Sequence, residues 1–95
     1  MGANYLVGDS IPIKVLVTDE NGPVTPSTAT CTVMRNPAGT IVVNAATMTI
    51  SGNQLTYTLS ATDTTVDGKY KFIVKATLSS GNIAQFVTFK DVKTP

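Results

Sequence analysis

An all-β chain, folded as a sandwich of two sheets with seven to eight mainly antiparallel strands, is what this sequence predicts. Three observations carry that prediction. Apolar and polar residues alternate with period two through most of the chain. Clusters of Gly, Pro, Asn, Asp and Ser break the alternation at short intervals. No segment shows the 3.6-residue period of an amphipathic helix. With 95 residues the chain is the size of one domain, 1–95 with a core spanning about 5–92.

Tyr5-Leu6-Val7 reads as a short first strand, ended by Gly8-Asp9. Ser10 to Thr18 comes next, with Ile11, Ile13, Val15 and Val17 on one face. Pro12 lies on the opposite phase, where its missing N–H is tolerated if that side is a sheet edge. Asp19-Glu20-Asn21-Gly22-Pro23 is a turn, since Asn-Gly favours positive φ and Pro fixes the backbone on leaving it. Ser27 to Arg35 places Ala29, Cys31 and Val33 inward and Thr28, Thr30 and Thr32 outward. The turn Asn36-Pro37-Ala38-Gly39 leads into Thr40 to Asn44, a short edge strand. Thr47 to Ile50 is the next strand, and Ser51-Gly52-Asn53 turns the chain into Gln54 to Ser60, where Leu55, Tyr57 and Leu59 alternate with polar residues. A polar connection, Ala61 to Val66, reaches Asp67-Gly68.

Lys69 to Leu78 is the longest strand, with Tyr70, Phe72, Val74 and Ala76 inward. Ser79-Ser80-Gly81-Asn82 forms a hairpin loop into the last strand, Ile83 to Val92. The phase of that strand is ambiguous, because Phe86 and Phe89 differ by three positions; a bulge between them would let both rings reach the core. The core expected from these phases comprises Ile13, Val15, Val17, Val33, Leu55, Tyr57, Tyr70, Phe72 and Val74.

Three local patterns resemble prokaryotic and viral immunoglobulin-like domains. Tyr5-Leu6-Val7-Gly8-Asp9, an alternating strand and then Asp19-Glu20-Asn21-Gly22 resemble their opening. Val33-Met34-Arg35-Asn36-Pro37-Ala38-Gly39 resembles their strand and Pro-x-Gly turn. Asp67-Gly68-Lys69-Tyr70-Lys71-Phe72 resembles the start of the penultimate strand with its tyrosine corner. The resemblance covers about Tyr5 to Val92 and implies an immunoglobulin-like sandwich. Phe72 stands where antibody domains carry a disulfide Cys, and Cys31 is the one cysteine, so no disulfide is expected. Stand-alone chains of this pattern resemble small phage virion structural proteins, of head-decoration or tail-associated type. Longer chains carry similar units in prokaryotic cell-surface proteins.

Composition excludes several functions. There is no His, which removes the commonest general base, zinc ligand and partner of a nucleophile. Cys31 shares its face with Ala29 and Val33 and reads as an inert core thiol. Carboxylates sit mainly at turns, so no catalytic pair is expected. The sharper alternative is calcium held by Asp19-Glu20-Asn21 with Asp67, but the Asn-Gly turn accounts for those residues without a cation. The glycines are scattered singly, so no phosphate cradle is present. The expectation is a non-enzymatic chain with no catalytic, cofactor or metal residues.

Net charge of +1 gives no global field for nucleic acid or an anionic membrane, and no stretch is long and apolar enough to span a bilayer. Carbohydrate binding would want exposed aromatics; Trp is absent, and only Tyr5 is not assigned inward among the tyrosines. Two features are candidates for an interface. Lys69, Lys71 and Lys75 share the outward phase of one strand around Ile73: a solvated face, or a contact for an acidic partner. Ile41, Val42 and Val43 form an uncharged apolar edge that a neighbour is expected to cover, unless Ala45-Ala46 folds it inward.

The resulting expectation is a structural or binding module acting through protein–protein contacts, as a virion component of a phage. The alternative is an adhesion or spacer module at a prokaryotic cell surface. Its partners are expected to be capsid or tail subunits, or tandem immunoglobulin-like modules, with oligomers only inside an assembly.

Overall fold

The computed structural model describes residues 4–36 and 38–94, Asn4 by its backbone alone. Ten strands run in chain order: β1 Asn4–Leu6, β2 Ile11–Leu16, β3 Thr18–Asp19, β4 Gly22–Pro23, β5 Thr28–Asn36, β6 Thr40–Thr47, β7 Thr49–Ser51, β8 Gln54–Leu59, β9 Gly68–Thr77 and β10 Ile83–Lys93. A five-stranded sheet has the order β1-β10-β9-β5-β6, and a three-stranded sheet the order β2-β8-β7; β3 and β4 form a small hairpin. All pairs are antiparallel except β1 with β10. This is the immunoglobulin-like two-sheet sandwich that the alternation and turns predict, and the single cysteine leaves it without a disulfide.

Period two decides the core. On β9, Tyr70, Phe72, Val74 and Ala76 are buried, and β5 answers with Ala29, Cys31 and Val33. From the smaller sheet come Ile11, Ile13, Leu55 and Leu59, all in one cluster with the β5 and β9 residues. Val17, Met48 and Val92 complete it. Val15 and Tyr57 are corrections to the expected core: both pack against it but are only half-buried. Val15 lies on β2, a sheet edge beside an open groove, so among the described residues no strand covers one flank of it. Tyr5, expected to be spare, also packs against the core.

The tyrosine corner forms: the Tyr70 hydroxyl donates to the Val66 carbonyl at 2.6 Å, satisfying a buried phenol while the ring fills the core. Pro12 sits on the edge strand β2, opposite Thr58, as its lost donor requires. Thr64 is buried, and its hydroxyl donates to the Asp9 carbonyl at 2.7 Å, with the Ala61 carbonyl 3.1 Å away. The Gly8 N–H donates to the Thr64 carbonyl at 3.1 Å, so the crossover from β1 to β2 is pinned to the loop before β9. The expected turn at Asn36 to Gly39 includes Pro37, which lies outside the described residues. Its far side closes by the Gly39 N–H donating to the Arg35 carbonyl at 2.9 Å.

The bulge expected between Phe86 and Phe89 is absent. β10 pairs with β9 in unbroken register from Ile83 opposite Thr77 to Val92 opposite Gly68. Unbroken register keeps residues three apart on opposite faces, so Phe86 packs against the core and Phe89 faces solvent. The irregularity lies instead between β5 and β6, with register shifts around Cys31, Val33 and Met34. There Ala45 takes φ +52° and its N–H donates to the Thr32 hydroxyl at 3.1 Å.

Candidate functional site: the outer face of the five-stranded sheet

Register assembles one continuous surface from residues far apart in sequence. Phe89 stands opposite Lys71, Lys71 opposite Met34, and Met34 opposite Ile41, a row running from β10 to β6. The next row sets Val87 beside Ile73 and Ile73 beside Thr32. The rows on either side carry Gln85, Lys75 and Thr30, and Asp91, Lys69 and Asn36. Val87, Phe89 and Ile41 are exposed at 52%, 50% and 57%, which makes this the apolar centre of an otherwise polar face. Lys69 lies with its Nζ 5.9 Å from the centre of the Phe89 ring, a cation–π distance.

Charge is unevenly distributed. Lys69, Lys71, Lys75 and Lys93 have the outward phase on this face, with Asp91 as its one carboxylate among the described residues. The remaining carboxylates, Asp9, Asp19, Glu20, Asp63 and Asp67, belong to the strand ends and loops. A chain that is nearly neutral as a whole thus carries a locally cationic sheet face.

The structure sorts the residues singled out from sequence. Lys69 and Lys75 are exposed and Lys71 half-buried, all on the outer face. Ile41 is on the same face, at the edge strand β6. Val42 and Val43 are half-buried and pack against the core. The register shifts between β5 and β6 split the expected edge cluster, and only Ile41 is free to join the lysines. Val87 and Phe89 are additions that the sequence reading lacks. The pairing of β10 with β9 identifies them, and the last strand's local pattern does not.

Two of the carboxylates considered for calcium, Asp19 and Asp67, accept hydrogen bonds within the protein. Asp19 accepts the Asn21 N–H at 2.7 Å, and Asp67 accepts the Thr94 hydroxyl at 3.0 Å. Among the described residues no group of three or more His, Cys, Asp or Glu is gathered as a metal site. Burial pushes the Cys31 thiol up to about 11, so at neutral pH it is protonated inside the core. Partial burial, with Cys31 and Asp63 nearby, raises the Tyr57 phenol.

No family model matches the sequence, and no curated protein matches it. Among solved structures, the crystal structure of CopC from Methylosinus trichosporium OB3b is similar, with a TM-score of 0.65 and 18% identity over 98% of this chain and 86% of that one. At that identity the likeness shows the sandwich fold. It also overturns the expected function as a phage virion component, and it lends no support to a virion location. The backbone that this chain resembles over almost its whole length is that of CopC, not of a head-decoration or tail-associated virion protein. The resemblance to phage virion proteins is withdrawn, and the sandwich stands.

Proposed function

We propose that this chain is a non-catalytic binding module that docks a protein partner on the outer face of its five-stranded sheet. The partner presents carboxylates around an apolar contact. The observation that supports this reading is the row Phe89, Lys71, Met34 and Ile41, flanked by Val87 with Ile73 and rimmed by Lys69 and Lys75. An apolar centre supplies the contact area that leaves water, and rim lysines steer and orient an acidic surface. Among the described residues, Phe89 is the one aromatic ring with the outward phase on these strands. That favours a protein surface over the successive stacking sites that a nucleic-acid strand uses. The absence of His and the protonated, buried Cys31 support a role without catalysis.

The test places a photoreactive side chain at Val87 or, as a control, at Thr58 on the exposed side of β8, in cells that make the protein. A discrete protein adduct is expected from Val87, lost when Lys71→Glu and Lys75→Glu are added, and not formed from Thr58. Equal adducts from both positions, or an adduct indifferent to charge reversal, would overturn the reading.

A further inference from the structure

Among the described residues, one edge of each sheet is left without a neighbouring strand along the same side of the sandwich. In the five-stranded sheet, among the described residues, β1 covers β10 only at Asp91 to Lys93, running parallel to it. Ile83 to Lys90 of β10 therefore has no strand neighbour on that edge among the described residues. Facing it, β2 is the edge of the three-stranded sheet and pairs with β8 alone among the described residues. Between these two edges lies a groove of about 270 Å³. Ile13, Val15, Val74 and Phe86 line its apolar part, and Lys14 and Lys90 add charge. Among the described residues no carboxylate lines it.

We infer that this seam is an acceptor site for an extended, acidic peptide segment of a partner protein, added to β10 as a further strand. An open edge offers alternate N–H and C=O groups along Ile83 to Lys90, and a strand laid there continues the line of β1. The short β1 already shows that this edge of β10 takes a parallel strand in regular register. The other edges are poorer. On β2, Pro12 removes one donor. On β6, Ala45 at φ +52° and the register shifts interrupt the ladder. On β7 only three residues are available.

Period two then dictates the ligand. Alternate side chains of the added strand point into the groove, where Val15 and Phe86 leave apolar surface only half-covered. Lys14 and Lys90, with no acidic residue in the described lining, select carboxylates on the segment. A stretch of about six to eight residues matches the open length. Val87 borders both this groove and the outer face to which the proposed function belongs, but the tests differ: N-methylation of the peptide abolishes strand addition at this edge, whereas Lys71→Glu with Lys75→Glu acts on the outer face.

The probe is an acetylated and amidated octapeptide whose alternate, groove-facing residues are two valines and two glutamates, with threonine at the positions between them. Amide hydrogen exchange of the intact chain is followed as the peptide is titrated to millimolar concentration. Slowed exchange is expected within Ile83–Lys90, with no change on β6. The same peptide N-methylated at alternate residues should give none, because it cannot complete the ladder. Lys14→Glu with Lys90→Glu should weaken binding about tenfold while leaving the thermal midpoint near that of the wild type. No protection at millimolar peptide, or protection unaffected by N-methylation, would overturn the inference. So would protection of this edge in the free protein that rises with concentration alongside a dimer in sedimentation, since the occupant would then be a second copy of the chain.

Discussion

Cys31 lies mid-strand in β5, opposite Val74 of β9 and Ala46 of β6, and is buried. Its role follows from what burial does to the thiol. A folded-state value near 11 against an ordinary 9.0 means that the neutral form is favoured by folding. Below pH 9 both folded and unfolded chains hold the proton, and the stability is fully present. Between pH 9 and 11 the unfolded chain releases a proton that the folded chain keeps, so stability falls with pH at about 1.4 kcal/mol per unit for this group. The difference in unfolding free energy between the wild type and Cys31→Ala should therefore shrink by about 2–3 kcal/mol from about pH 8 to about pH 11. Parallel curves from denaturant titrations would mean that the thiol ionises freely in the folded state. The inward phase of Cys31 was legible from its neighbours Ala29 and Val33 alone. The phase of Phe89 was not, since two aromatic rings three residues apart give the local pattern two solutions.

At the scale of the element, the strands were readable to within a few residues, because each is a run of alternation bounded by turn chemistry. Their irregularities were not. Gly68 opens β9 at φ +148°, and a Cβ there would stand 2.7 Å from the Asn36 carbonyl oxygen and 3.2 Å from Cγ of Arg35. Gly81, in the hairpin loop, also has a positive φ, of +91°, but a Cβ would meet nothing within 4 Å. Gly68→Ala combines backbone strain with a clash against main chain that is itself part of a ladder, and should cost about 2–4 kcal/mol. Gly81→Ala carries the strain alone, about 1–2 kcal/mol. Denaturant midpoints that fall equally in the two variants would remove the close approach as the cause. A sequence shows the glycine but not the carbonyl that crowds it, which belongs to β5, far earlier in the chain.

Across the whole molecule, one cluster holds the sheets together. Phe72 is fully buried among residues of both sheets. Phe72→Ala removes a ring from that shared core and should cost about 3–5 kcal/mol, out of a total stability of about 5–15 kcal/mol for a small domain. The unfolding midpoint in urea measures it; a midpoint close to that of the wild type would place the ring outside the shared core.

The amino-acid order by itself determined the class of fold, the main strands, the buried face of β5 and β9, the edge position of β6, and the outward lysines Lys69, Lys71 and Lys75. These are decided by period two and by turn residues acting over a few positions, and both can be read locally. Only the tertiary structure decided which outward residues share a surface. Phe89 joins Lys71, Met34 and Ile41 because three successive strand pairings align them, and register is a long-range property. The open seam is likewise invisible in sequence. Among the described residues β1 pairs with β10 only from Asp91 to Lys93, so β2 and most of β10 face each other across a groove.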